Sequence, residues 1–413
     1  MKKFVIILLI VCLLLGGTVG YFLAREEAKG SGEPVALYDP ENVIAAEPSQ
    51  TPETPETAET TEETELPAVK SIDYDAIGAL HPMDEIVGDV DGRPVTWGDY
   101  YYWLCDMGQQ AESYIYTMAL YGQRLDWNDK ISADSEQTFA EYVVQLAQDC
   151  IRQLCTVEAV AEENGAALKA EDETALAEQL AQDIVDACGE GASEEDFYAY
   201  LEENRISREM YDRLGKLNYL FQNTYTDLYG ENGEKVSEED AIAYLEDGNY
   251  LCAAQILFLT LDMNTYETLD EAILEQKLEQ AKAISDELRA IEDKDERVKR
   301  FAELKEQYCE DTVKSVYPDG YLFVAGTMLT EFEESIKALE EYEVSEPVIS
   351  GSGYHVVMRL PLSADMAIYN NGASARSVYA SAQFSAMMSG RIEQSVLTLS
   401  DELAAFDLTD YLK

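Results

Sequence analysis

The sequence has few basic residues, few histidines and no cysteine motif typical of a metal site. Its 29 Lys and Arg stand against 82 Asp and Glu, which gives a formal net charge of −53. A surface this acidic favours solubility and repels nucleic acid, so no nucleic-acid partner is expected. His81 and His355 are the two histidines, and the seven cysteines include no C-x-x-C pair. With no EF-hand loop either, we expect no metal and no other cofactor.

An apolar run occupies residues 4–24, directly after Lys2 and Lys3. Its length suits a transmembrane helix, which needs about 20 residues, and the positive-inside rule places the two lysines in the cytoplasm. The alternative is a cleaved signal peptide, although the apolar region of such peptides is usually shorter, about 7–15 residues. We predict an anchor or signal segment at 1–25. The body then lies outside the cytoplasm, on a single-pass membrane protein or, after cleavage, secreted or in the cell envelope.

A linker is predicted at residues 26–83. Within it, residues 46–68 consist almost only of Pro, Glu, Thr and Ala. This composition buries too little apolar surface to offset chain entropy, so the segment should be disordered. Prolines and repelling carboxylates should keep it extended, as an acidic stalk.

Residues 84–248 are predicted to form a helical domain. It opens with two short strands within 87–96, joined by a turn at Asp91-Gly92, and Thr96 then caps a helix with Asp99 three residues on. Ser193 and Ser237 are predicted to cap further helices. Long helical segments are predicted near 136–164, 170–188 and 207–228.

The pattern changes in residues 249–362. An apolar run at 250–261 fits a buried strand. Two charged helices, a short strand after Asp319-Gly320, a third helix and two more strands follow, in the order β-α-α-β-α-β-β. The three helices are predicted near 268–292, 295–308 and 329–340.

The last segment, 363–413, is predicted to end in an amphipathic helix. Such a helix must bury its apolar face, and the helical domain is the expected partner. The apolar positions at helical spacing are Phe384, Met388, Ile392, Val396, Leu399 and Leu403.

Seven separated motifs carry a resemblance to a known family. They are AQILF at 254–258, FAEL at 301–304, YCED at 308–311, YPDGYLF at 317–323, GTMLTEF at 326–332, VSEPV at 344–348 and SGYHVV at 352–357. Their order and spacing resemble a parvulin-type peptidyl-prolyl cis/trans isomerase. Residues 87–96 and the helices around them resemble the SurA/PrsA-like extracytoplasmic foldases, in which a parvulin domain is commonly inserted between a helical N-terminal region and a C-terminal helix. The implied fold class is α+β.

The resemblance also implies roles for individual residues. It assigns Gln255, Asp311 and His355 to the catalytic group, and it assigns Met328, Phe332, Phe258 and Ser352 to substrate binding, with Met328 and Phe332 holding the proline ring. Gln255 is a departure, because it stands where the family has its first histidine. A glutamine amide donates and accepts hydrogen bonds but does not titrate.

Rotation about an X-Pro bond crosses a barrier of about 20 kcal/mol and breaks no covalent bond. The site therefore needs an apolar cup for the proline ring and polar groups that stabilise the twisted amide. The expected function is an anchored isomerase and foldase that acts on unfolded, proline-containing exported polypeptides. The alternative is a degenerate parvulin that binds unfolded chains as a chaperone without isomerising them. A cell-envelope interaction protein without clients is a third hypothesis.

The same residues also fit purely structural roles. Met328 and Phe332 lie about one helical turn apart, so both fit a hydrophobic core. His355 lies in a predicted strand and fits a structural histidine, and Asp311 fits a turn at a helix end.

Overall fold

The computed structural model describes residues 70–413 apart from 133–134, 264 and 266. The predicted membrane segment and most of the predicted linker lie outside the described residues. Within the described part, no helix is both long enough and apolar enough to cross a membrane. This part is a mixture of helices and small antiparallel sheets and is mainly helical, as the predicted α+β class requires.

The chain divides into two compact units. The first comprises the described residues up to Thr224 together with Met388–Lys413, and the second comprises Tyr225–Met387. The sequence placed domain limits at 248/249 and 362/363 instead, and those limits stay a prediction.

The first unit begins earlier in the chain than the sequence indicated. It opens with helix α1 (Tyr74–Gly78), and strands β1 (Ile86–Val90) and β2 (Arg93–Thr96) follow. Ser71 exchanges backbone hydrogen bonds with Lys413. The predicted linker is therefore too long at its end, because residues 70–83 already pair and pack with the body.

The predicted turn between the two strands is confirmed. Asp91 and Gly92 have positive φ angles of 53° and 85°, as a two-residue hairpin turn requires. Thr96 then caps the next helix: its side chain accepts a hydrogen bond from the Asp99 N–H, and the Asp99 carboxylate accepts one from the Thr96 N–H. This reciprocal pair satisfies two otherwise unpaired N–H groups.

Five helices form most of the first unit and lie close to their predicted positions. They are α2 (Trp97–Leu120), α3 (Phe139–Glu163), α4 (Ala170–Cys188), α5 (Glu194–Glu203) and α6 (Arg208–Tyr229). The predicted cap at Ser193 is confirmed, since its side chain accepts a hydrogen bond from the Asp196 N–H. Large aromatic residues of α2, including Trp97, Tyr100 and Trp103, are fully buried.

The second unit has the predicted order of elements from its first strand onward. The elements are α7 (Glu238–Asp247), β3 (Tyr250–Leu259), α8 (Glu271–Arg289), α9 (Lys294–Tyr308), β4 (Tyr321–Val324), α10 (Thr330–Lys337), β5 (Val348–Ile349) and β6 (Gly353–Arg359). Helix α11 (Ala375–Gln394) follows, and its residues from Met388 onward belong to the first unit. The strands form an antiparallel sheet in the order β4-β3-β6-β5.

The two faces of this sheet carry different helices. Side chains alternate between the faces along a strand. Ile256 and Phe258 of β3 pack in one hydrophobic cluster with apolar residues of α8 and α9. Ala253 packs in another cluster with Phe332 and Ile336 of α10. Residues of β3 and β6 that share the face of Ala253 are thus brought beside α10.

The prediction of one helix through Leu403 is wrong. Helix α11 ends at Gln394, and strand β7 (Leu397–Leu399), helix α12 (Asp401–Ala404) and a 3₁₀ turn (Leu408–Tyr411) follow. Strand β7 pairs antiparallel with β1, giving a sheet in the order β2-β1-β7. Leu397 and Leu399 fit the two-residue period of a strand as well as the spacing of a helix. They form a strand because this segment pairs with the distant strand β1.

Candidate active site

Neighbouring strands bring Gln255 and His355 together. In the register of β3 and β6, Leu257 lies opposite His355 and Gln255 lies opposite Val357. Gln255 and His355 are therefore diagonal neighbours on one face, within reach of each other's side chains. The Nδ1 atom of His355 lies 2.7 Å from the Oε1 atom of Gln255, and the Nε2 atom of Gln255 donates to the Oδ2 atom of Asp311 at 2.6 Å.

These contacts fix the direction of the hydrogen bonds. An ionised carboxylate only accepts, so Gln255 must present its NH₂ group to Asp311 and its carbonyl oxygen to His355. His355 must then carry its proton on Nδ1, which leaves Nε2 as an acceptor. Ser350 supplies the donor, because its Oγ lies 2.6 Å from that Nε2.

Ser350 and Tyr321 were not found by sequence reasoning. Ser350 follows β5 and is brought to His355 by the short turn into β6, and the Tyr321 hydroxyl donates to the Oδ2 atom of Asp311 at 2.5 Å. The sequence signal was present, since Tyr321 lies in the YPDGYLF motif and Ser350 precedes the SGYHVV motif. Their roles depend on the pairing of β4 with β3 and of β5 with β6, and this pairing cannot be predicted from the local sequence.

Burial keeps the site in one protonation state near neutral pH. His355 is 3% exposed, and burial lowers its pKa to about 4, although the charge of Asp311 opposes the change. Burial and the hydrogen bond to Asp311 raise the pKa of Tyr321 above its usual value. The imidazole is therefore neutral and the phenol protonated, so the network can orient groups but does not carry a titrating proton at pH 7.

A buried aromatic ring packs directly beside the network. Phe332 of α10 is 4% exposed, and its ring centroid is 5.8 Å from that of His355. Met328 is half-buried and packs against the same cluster. The structure thus brings Phe332 beside His355 and packs Met328 in the cluster of Phe332, and their role as a cup for a proline ring stays a prediction.

A buried carboxylate holds the loop that carries Met328. Glu333 is 4% exposed. It accepts hydrogen bonds from the N–H groups of Gly326 and Met328 at 2.8–2.9 Å. Burial opposes ionisation, yet these bonds and the nearby Lys337 lower the pKa of Glu333 below its ordinary value. Because Glu333 follows Phe332, the same turn of α10 positions the Phe332 ring and holds the loop that carries Met328.

The structure does not bring Phe258 into this group. Phe258 is buried in the cluster formed with α8 and α9, on the face of the sheet opposite to Gln255 by strand alternation. Ser352 is half-buried and lies near the network through its N–H, which donates to the Oγ atom of Ser350 at 3.1 Å. The binding roles of Phe258 and Ser352 stay predictions.

Cys105, Cys155, Cys188, Cys252 and Cys309 form no disulfide. Among the residues described, no group of three His, Cys, Asp or Glu side chains is placed to hold a metal ion.

Comparisons with known proteins bear on the same part of the chain. Residues 263–360 match the family model of the rotamase, described as the PPIC-type PPIase domain. A foldase protein PrsA 1 of Bacillus cereus is 48% identical over 60 residues, which is 14% of this chain and 21% of that protein. The matched region thus spans about a fifth of the relative.

Several solved structures are similar at low identity. PrsA from Bacillus subtilis has 17% identity and a TM-score of 0.23, and the match covers 65% of this chain and 91% of that one. PrsA from Bacillus anthracis has 16% identity and a TM-score of 0.20, covering 59% and 94%. A structure of SurA-like chaperones from Campylobacter jejuni has 16% identity and a TM-score of 0.22, covering 64% and 94%. Likeness at these TM-scores carries no argument about function. The family match shows that the chain contains a parvulin-type domain of the PPIC-type peptidyl-prolyl isomerase family at residues 263–360.

Proposed function

We propose that this chain is an extracytoplasmic peptidyl-prolyl isomerase and foldase, anchored by residues 4–24, that acts on X-Pro bonds of exported polypeptides. The observation that carries the proposal is the hydrogen-bonded chain from Ser350 through His355 and Gln255 to Asp311, placed against the ring of Phe332. An apolar cup beside a fixed polar network is what rotation about a prolyl amide requires.

In this proposal the proline ring packs on Phe332 and Met328, so that the amide lies beside the His355 network. A planar amide is more polar than a twisted one, because resonance separates charge between its oxygen and nitrogen. A partly desolvated site therefore favours the twisted state relative to the planar state. Gln255 keeps the family's hydrogen-bonded connection between His355 and Asp311 without a second imidazole, and no step needs a proton transfer.

The localisation and the clients are proposed from the sequence and the relatives. The apolar run after Lys2 and Lys3 fits a membrane anchor. One matching relative, from Bacillus cereus, is named a foldase. Unfolded, proline-containing exported chains are the substrates that this combination favours.

The test is an isomerisation assay with a short proline peptide at pH 7, comparing wild type, Met328→Ala and Leu329→Ala. Leu329 is a matched control, because it is the neighbouring residue and its side chain is exposed. We expect Met328→Ala to lower kcat/KM about tenfold, equivalent to ~1.4 kcal/mol of transition-state stabilisation, and Leu329→Ala to have little effect.

A wild-type rate no faster than the uncatalysed one would contradict the isomerase proposal. If the same preparation still suppressed aggregation of an unfolded protein, the binding-only chaperone would replace it. A Gln255→Ala variant separates the contributions further: it should lose activity while retaining peptide affinity, because Gln255 orients His355 and lies outside the apolar cup.

A further inference from the structure

The sheet of the first unit has two outer strands, and the two differ in chemistry. Its order is β2-β1-β7, so β2 and β7 each have one side unpaired with any other strand that the structure describes. Strand β2 contains Pro94, which has no N–H and blocks further pairing. Strand β7 has the sequence Leu-Thr-Leu and no such block.

The outward side of β7 follows from its hydrogen bonds to β1. The Asp91 N–H donates to the Val396 carbonyl, and the Ser400 N–H donates to the Val87 carbonyl. In an antiparallel pair, alternate residues face the partner strand. The backbone N–H and C=O groups of Leu397 and Leu399 therefore point away from β1 and are available to another extended chain.

A groove of about 750 Å³ begins at this edge. Ser395, Val396 and Leu397 form one side. Its lining is mixed: polar side chains such as Gln145 and Gln148 lie beside the buried apolar residues Val144, Leu403 and Leu408. Volumes of about 300–1,000 Å³ are typical of sites that bind a ligand. Open backbone groups thus lie beside a groove with both polar and apolar lining residues.

The charged residues that line the groove determine which polypeptide segments it favours. Glu141, Asp149 and Asp407 are acidic, and Arg152 is the basic residue among those lining it. Arg152 already pairs with Asp149 at 2.5 Å and donates to the Ile392 carbonyl. The net charge of the rim is negative, so it disfavours acidic segments such as residues 46–68 of this chain and favours neutral or basic ones.

We propose that the groove binds an extended, neutral or basic polypeptide segment, which adds as a strand to the free edge of β7 and places alternate side chains in the groove. Strand addition takes its affinity from main-chain hydrogen bonds and its selectivity from alternate side chains. The segment needs no proline, so this site holds unfolded chains independently of the isomerase site and would retain them between encounters with it.

The probe is a labelled proline-free peptide, Ac-Lys-Val-Thr-Val-Ser-Leu-Lys-NH₂, compared with the same peptide N-methylated at alternate residues. Binding to the full chain is followed by fluorescence anisotropy. We expect N-methylation in one of the two alternating patterns to weaken binding at least tenfold, because it removes the donors that face β7 and leaves the side chains unchanged. Saturating unmethylated peptide should slow hydrogen exchange at the amides of Leu397 and Leu399.

Leu397→Pro is the matching change in the protein. It removes an N–H that faces away from β1, and we expect at least a tenfold loss of affinity. Val324→Pro is the control, since Val324 ends the edge strand β4 of the other sheet and should leave the affinity unchanged. Phe332→Ala should also leave it unchanged, so a failure of the isomerase proposal is distinguishable from a failure of this one.

Equal affinity for the unmethylated peptide and for both methylated patterns would overturn strand addition, and so would absence of peptide binding. These two results do not depend on whether Leu397→Pro folds. An apparent mass that rises with protein concentration, and that Leu397→Pro abolishes, would assign the edge to a second copy of the chain and would likewise overturn the proposal.

Discussion

Gln255 is the residue on which the chemistry of the candidate site depends. Its amide joins an acceptor, Asp311, to a donor, the Nδ1–H of His355, and the two ends of the amide cannot exchange without losing both bonds. A histidine in place of Gln255 could gain a proton as the pH falls, and a ring nitrogen that accepted a hydrogen bond would then donate one. Gln255 therefore fixes which groups donate and which accept in the network, because its own amide does not titrate.

His355 should remain neutral far below its ordinary pKa. Burial lowers the pKa to about 4, so the folded protein binds this proton less readily than the unfolded chain, whose histidines titrate near 6.5. We expect the ring signals of His355 in an NMR titration to stay constant from pH 7.5 down to about 5.5. Isomerase activity should show no midpoint in the same range.

The lowered pKa of His355 also makes the stability of the protein depend on pH. Between pH 6.5 and 4 the unfolded state takes up the proton and the folded state does not, so this contribution to stability is complete above pH 6.5 and is lost as the pH falls. A His355→Gln variant should lack this component when unfolding is compared with wild type across the range. A His355 midpoint near 6.5 would show that burial does not control the site.

At the scale of elements, close approach of strands decides where the C-terminal segment goes. Gly88 of β1 lies opposite Leu399 of β7. A Cβ atom on Gly88 would lie 2.2 Å from the carbonyl oxygen of Thr398, which is far inside van der Waals contact. The pairing of the two strands therefore requires a residue without a side chain at position 88.

Gly88→Ala should separate β7 from β1 and lower the melting temperature. Overpacking of this kind costs about 1–3 kcal/mol. Gly390→Ala is the matched control in the same unit, because a Cβ there meets nothing within 4 Å and Gly390 lies inside α11, where alanine is more favourable by ~1 kcal/mol. Calorimetry should find opposite signs for the two changes. A Gly88→Ala protein as stable as wild type would mean that β7 is not held against β1 in solution.

At the scale of the whole molecule, the excess of acidic residues is the dominant physical feature. With a net charge of −53, the compact chain repels itself, because like charges are closer in the folded than in the unfolded state. Ion pairs such as Lys130–Glu136 and Arg289–Glu346 lie at the surface, and exposed pairs contribute little. Self-repulsion should therefore outweigh attraction at low salt.

Stability should consequently rise with ionic strength. The Debye length falls from about 30 Å at 0.01 M to about 8 Å at 0.15 M salt, which screens repulsion between distant surface charges. We expect the melting temperature to increase between 10 and 150 mM NaCl and to increase equally with KCl, since screening does not depend on the identity of the cation. A lower melting temperature in salt would indicate that surface ion pairs dominate instead.

The sequence by itself determined the features that depend on neighbouring residues. Capping residues such as Thr96 and Ser193, the turn at Asp91-Gly92, the long helices and the order of elements in the second unit follow from local hydrogen bonds and hydrophobic period. The separated motifs also identified Gln255, Asp311, Met328, Phe332 and His355, which the structure gathers around one sheet face. Only the tertiary structure decided that Ser350 and Tyr321 complete the network, that Phe258 faces away, and that residues 397–399 form a strand. Those outcomes depend on strand register and on pairing between distant segments, and long-range pairing overrides the local preference of a short apolar segment.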